Sequence, residues 1–253
     1  VKGLQAQNVR EFFARYYRPN RSIIAVVGDV SEREISQALE QALKGWSKGA
    51  ERNAPPAPAA IGAPQTIRLS KDLTQANIIL GHAGVPRSHP DYYAIQVMNY
   101  ILGGGGFSSR AMDSIRNERG LAYSVYSYFG ADQSHGYFQF VLQTKNETAG
   151  EAIRLAVDEM GKLRDQPVSE QELSDAKNYL SGSFPLRFDT NRRVAGFLAQ
   201  VELFGLGLDF ANRYGELIGK VSVADVQGAA QQYLHPEKLI RVIVGDQKKI
   251  AIQ

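Results

Sequence analysis

The sequence has no cysteine and only four histidines, His82, His89, His135 and His235. Without thiols there is no disulfide framework and no thiolate metal site. No two histidines stand four residues apart, and none begins or ends an HxxEH string, so helical zinc-peptidase geometry is absent. His82 is expected at a strand end and His89 and His135 in loops. These three meet at a metal only if the fold brings them together; otherwise they read as solvated surface histidines. No apolar run approaches the roughly 18 residues needed to span a bilayer. Basic residues are scattered and the net charge is only +3, so nucleic acid is not indicated.

What is present is a long internal repeat. Offset by 217 positions (226 − 9), the N-terminus falls into register with the C-terminus without a gap. Leu4 meets Val221, Val9 meets Val226, Tyr16 meets Tyr233, Pro19 meets Pro236 and Ile23 meets Ile240. Val27-Gly28-Asp29 meets Val244-Gly245-Asp246. Each copy reads as an amphipathic helix, a proline break, a β-branched strand and a Gly-Asp stop. A repeat this long implies a duplicated domain rather than a solenoid. Residues 1–50 are therefore expected to be the tail of one copy, with their apolar face (Phe12, Phe13, Tyr16, Tyr17) partly exposed. Residues 51–64 are rich in Pro and Ala and read as a semi-rigid linker. Residues 65–253 are expected to form a whole second copy.

Local patterns fill in that second copy. Strands are expected over 66–70, 76–81, 122–129, 136–144 and 239–244. Helices are expected near 91–102, 108–119, 147–164, 170–184, 191–206, 209–218 and 223–234, with a further one near 32–44. Ser31/Glu34, Ser169/Glu172 and Ser222/Asp225 are capping-box pairs. Strands first and helices later point to an α+β fold: a two-layer sandwich of a mostly antiparallel sheet with helices on one face.

Three constellations carry possible chemistry. Gly103, Gly104, Gly105 and Gly106 break a helix and lead into another. Such a loop turns its N–H groups on an anion, makes a tight turn through positive φ, or contacts an extended ligand; the lysine of a phosphate loop is missing. Arg116 and Tyr123 flank the Gly120 break, where a guanidinium and a phenol suit a peptide carbonyl or its developing oxyanion. The same residues also read as a surface ion-pair arginine and a half-buried tyrosine. Tyr126 and Tyr128 share one strand face, with Tyr123 and Phe129 on the other, either as sheet packing or as a wall for apolar side chains.

The strings YYRPNRSIIAVVGDVS, LGGGGFSSR, IRNERGLAYS and SEQELSDAKNYL resemble the pitrilysin or insulinase-type zinc metallopeptidases, a family that includes mitochondrial processing peptidase, and specifically their catalytically inactive domain. The resemblance covers essentially the whole chain. It implies two homologous halves, on one chain or on two subunits, that close like a clamshell around an unfolded peptide. Zinc is expected in the other half. This half is expected to contribute Arg116 and Tyr123 to substrate near the scissile bond, with Gly103 to Gly106 linked to substrate capture. The chain is accordingly expected to be inactive alone, a part of a zinc endopeptidase whose partners are the zinc-bearing half and the peptide. The same resemblance points to a bacterial periplasmic protein. Rival readings are a scaffold subunit, as in respiratory cytochrome complexes, and a stand-alone peptide-binding module.

Overall fold

The structure, a computed structural model, describes residues 2–50 and 63–252. The linker therefore lies, except for its last two residues, outside the described residues. The chain divides into two compact units, residues 1–56 with 185–210, and residues 57–184 with 211–253.

The larger unit is built on a five-stranded sheet. Its strands are β1 (Gln65–Ser70), β2 (Gln75–Gly84), β3 (Ala122–Ala131), β4 (Gly136–Lys145) and β5 (Ile240–Gly245), in the order β1-β5-β2-β4-β3. Only β1 and β5 run parallel; the other pairings are antiparallel. Alternation puts Ala76, Ile78, Leu80, Val125, Phe129, Phe138, Phe140, Leu142 and Ile243 on one buried face. The helices α3 (Tyr92–Asn99), α4 (Ala149–Asp165), α5 (Glu170–Gly182), α7 (Phe210–Gly219) and α8 (Val223–Tyr233) belong mainly to this unit. α3 and α4 pack on the sheet, and both pack against α8. The opposite face carries exposed Ile79, Tyr126, Tyr128 and Tyr137. The fold is thus the expected α+β sandwich.

Three expectations need correction. First, β2 runs on to Gly84, so His82 is an inward-facing residue of the strand and only 5% exposed. Second, the helix expected over 91–102 changes at Tyr100 to a π-turn, Tyr100–Gly104, and the one expected over 108–119 is a π-turn, Met112–Asn117. Third, residues 22–27 form no strand. The chain is extended at Ser22, but a strand exists only where another strand pairs with it, and the ladders of the described residues do not reach this segment.

The smaller unit contains α1 (Ala6–Tyr16), α2 (Glu32–Ala42) and α6 (Asn191–Phe204). Here the repeat reproduces the local fold. α1 shifted by the offset gives the bounds of α8, and the 3-10 turn Pro19–Arg21 gives those of Pro236–Lys238. Even the caps correspond. Asn8 Oδ1 accepts the Gln5 N–H at 2.9 Å, as Asp225 Oδ2 accepts the Ser222 N–H at 2.8 Å. Burial is the difference. Val9 is 60% exposed and its counterpart Val226 is 0%; Tyr16 is 45% exposed and Tyr233 is 8%. No residue of α1 or α2 is buried.

Candidate functional site

The glycine segment is built into the larger unit at four points, each for its own reason. A Cβ on Gly103 would lie 2.6 Å from the Ser127 backbone N and Oγ on β3. One on Gly104 would lie 2.7 Å from Asn99 Nδ2, and one on Gly105 2.8 Å from the Tyr100 carbonyl. Only Gly106 uses positive φ, at +57°. The positive-φ reading of the whole run is therefore corrected to one position; the other three are glycine because the backbone is pressed against neighbours. The π-turn brings this about, with Gly105 N–H donating five residues back to the Tyr100 carbonyl at 2.8 Å. Beneath it Asn99 and Ser127 form a buried pair. Ser127 Oγ donates to Asn99 Oδ1 at 2.7 Å, and Asn99 Nδ2 donates to the Ser127 carbonyl at 3.3 Å.

Arg116 and Tyr123 meet at this loop. The π-turn Met112–Asn117 ends as expected at Gly120, whose φ is +63°; Gly120 N–H donates to the Arg116 carbonyl at 2.9 Å and Leu121 N–H to the Ile115 carbonyl at 3.0 Å. β3 begins with a bulge. Ala122 pairs with Thr144 and Ser124 with Gln143, which leaves Tyr123 unpaired. A bulge re-aims a side chain, so Tyr123 is 74% exposed instead of sharing the buried face with Phe129. The Arg116 guanidinium carbon lies 5.8 Å from the Tyr123 ring centroid and 5.0 Å from that of Phe107. Its one hydrogen bond among the described residues goes to Met112 Sδ at 3.8 Å, and no carboxylate stands within ion-pair distance. The surface ion-pair reading of Arg116 therefore falls. Phe107 was not singled out from the sequence. It follows the loop and is 73% exposed, an unusual setting for a large aromatic residue.

An ion pair fastens the same region to α5. Arg110 Nε and Nη2 reach Glu172 Oε1 and Oε2 at 2.7 and 3.0 Å. Arg110 and then the Ser169 N–H hold the Glu172 carboxyl down at about 2, while the same carboxylate completes the α5 capping box.

Zinc ligation does not fit the residues present. Among the described residues no three His, Asp or Glu side chains gather as a metal site. Both nitrogens of His82 are engaged: Nδ1 lies 2.7 Å from the Ala83 carbonyl, and Nε2 accepts the His235 N–H at 3.2 Å. The ring stacks on Phe138 at 4.7 Å. Burial is the main cause that holds its pKa at about 4. The sign of the resulting pH effect is fixed. The unfolded chain takes up a proton near pH 6.5 and the folded chain only near 4, so stability is fully present above 6.5 and declines as pH falls to 4. Chemical denaturation at pH 7.5 and 4.5 is expected to differ by about 2–3 kcal/mol from this group. His82→Gln should flatten that difference, and an unchanged slope in the variant would assign it to other groups.

Relatives place this architecture. The sequence profile of the peptidase M16 inactive domain matches residues 3–180. A solved M16 inactive domain from Pseudomonas fluorescens superposes with a TM-score of 0.87 at 28% identity, covering 99% of this chain and 59% of that one. The chain belongs to the peptidase M16 inactive-domain family. Among curated proteins it is 27% identical to an uncharacterized zinc protease of Streptomyces coelicolor, over 96% of this chain and 54% of that protein. It is also 27% identical to the non-peptidase homolog YmxG of Helicobacter pylori, over 98% of this chain and 57% of that protein. The chain thus spans a little over half the length of these relatives. Among the described residues no helix is long and apolar enough to cross a membrane.

Proposed function

We propose that this chain is the substrate-binding, non-catalytic half of a two-part zinc endopeptidase that acts on unfolded peptides. One observation carries the reading: a half-exposed Arg116 and an exposed Tyr123 lie together beside the glycine loop, and among the described residues Arg116 has no carboxylate partner. An arginine with open donors beside a free phenol matches the acceptor-rich backbone of an extended peptide. Cleavage itself belongs to the other half. The test is to combine the chain with a zinc-bearing M16 half and follow cleavage of an unstructured peptide. Cleavage that needs both halves supports the reading. Full cleavage without this chain overturns it. The H. pylori relative is named a non-peptidase homolog, which favours a second reading without peptidase function; a scaffold role is one form of it. That reading gains if the halves associate and no peptide is bound.

We further propose that residues 1–50 complete a second copy of the fold, with 51–64 as linker and 65–253 as the inactive domain. β5 is an inner strand, parallel to β1 on one side and antiparallel to β2 on the other. Residues 23–28, its counterparts, would take the same two neighbours from a further copy of the fold, on the same polypeptide or on a partner subunit. That copy would also cover Val9 and Tyr16. Amide exchange checks this within one molecule. Residues 23–27 are expected to exchange far faster than 240–244 in this chain, and to slow when the homologous domain is joined to it. Equal protection of the two segments in the chain alone would sink the idea.

A further inference from the structure

We infer that Phe107 is a positioning residue for Arg116, an inference that rests on the substrate-binding reading of Arg116 and Tyr123. The guanidinium carbon lies within cation–π distance of two aromatic rings, 5.0 Å from the Phe107 centroid and 5.8 Å from that of Tyr123. An arginine held by a carboxylate would spend its N–H groups on that partner. An arginine held by ring faces is attracted through its π-surface and keeps its in-plane donors for a ligand. Arg116 is of the second kind, since its one hydrogen bond among the described residues goes to a thioether sulfur.

The place of Phe107 is set by the loop behind it rather than by burial of its ring. Gly103, Gly104 and Gly105 are pressed against Ser127, Asn99 and Tyr100, and Gly106 turns the chain through positive φ. Ser109 Oγ then donates to the Gly106 carbonyl at 2.7 Å and closes the turn. The glycine run and the arginine are thus one device: the rigid turn fixes an exposed ring, and the ring fixes the cation. On this account the glycine segment serves substrate capture indirectly, through Phe107. The ligand class is unchanged, an extended peptide offering carbonyl oxygens.

Two measurements on the 253-residue chain test this. The first reads position alone. Ring currents should shift the Arg116 side-chain NMR signals in the wild type and in Phe107→Trp, and Phe107→Leu should remove most of that shift. An Arg116 spectrum indifferent to Phe107→Leu overturns the proposal. The second reads use, with a fluorescent unstructured peptide as the probe. At an exposed site the cation–π contact corresponds to about a two- to fivefold change in Kd. Phe107→Leu should weaken binding by that factor, Phe107→Trp should restore it, and Phe107→Leu should add nothing in an Arg116→Ala background. A loss that persists in that background means that Phe107 touches the peptide itself, which also overturns the proposal. If Arg116→Ala leaves binding unchanged while the ring-current shift is present, the substrate-binding reading fails and the positioning contact stands. Thermal melts accompany each variant; exposure of the ring predicts that all fold.

Discussion

Arg116→Ala is expected to lower kcat/KM for an unstructured peptide by roughly 10²-fold when the chain is assembled with a zinc-bearing half, with little change in melting temperature. A donor aimed at charge developing on a peptide carbonyl is worth roughly 10²–10³-fold in rate. The same side chain contributes little to folding. It is half-exposed and makes no ion pair among the described residues, so its removal leaves no buried partner unpaired. Tyr123→Phe is the finer probe. It keeps the ring that flanks the guanidinium and removes only the hydroxyl, so about a tenfold loss is expected. Arg116→Lys separates charge from shape, because an ammonium lacks the planar fork. Cleavage and melts measured in parallel decide the matter. Unchanged cleavage in Arg116→Ala and Tyr123→Phe would leave the scaffold reading ahead, and so would activity lost only through unfolding.

Gly103→Ala is expected to be the most damaging single methyl in the site. Its Cβ would lie 2.6 Å from the Ser127 backbone N, on edge strand β3, which is hydrogen-bonded to β4. Overpacking of this kind costs about 1–3 kcal/mol, or roughly a 3–10 °C fall in Tm for a chain of this size. The displaced loop would carry Phe107 with it, so peptide binding should weaken as well. Gly161→Ala is the contrasting control. Gly161 lies within α4 and a Cβ there meets nothing within 4 Å. The better helix former should stabilise by up to about 1 kcal/mol. Scanning calorimetry of both variants tests the contrast. Equal melting points would show that the loop yields easily and that Gly103 is not held against β3.

Acid should loosen the same region from a different side. The Glu172 carboxylate sits at about 2 in the folded chain against an ordinary 4.5, so its tie to Arg110 is fully present above 4.5 and fades as pH falls towards 2. The pair is about one-third exposed on the carboxylate side, and solvent screening keeps its contribution modest. His82 acts over the higher window, from 6.5 down to 4. The two windows overlap only between about 4 and 4.5, so His82 dominates above that range and Glu172 below it.

Much of this molecule is local, and what is local was legible. The capping boxes at Ser31, Ser169 and Ser222 form because serine and an acid three residues on satisfy donors of the same turn. The alternation of Phe138, Phe140 and Leu142 needs only the period of a strand to select the buried face. The 217-residue repeat pointed to a helix and a proline break in both copies, and both are present as helix and 3-10 turn, because those bonds close within a few residues.

Pairing and placement across the chain were decided by the tertiary structure alone. Residues 22–27 carry the sequence of an inner strand but form none, because a ladder needs a second chain segment that the pattern cannot supply. Tyr123 left the buried face because one unpaired residue at the start of β3 resets the alternation, and a bulge is a property of two strands. His82 entered the core because β2 ran three residues past its expected end. Phe107 was invisible in the sequence, since its value lies in a contact nine positions away through a turn that helical periodicity does not describe. Arg116 and Tyr123 stood out in the sequence as residue types. Only the packed glycine loop and the bulge determined that they meet at one place on the surface.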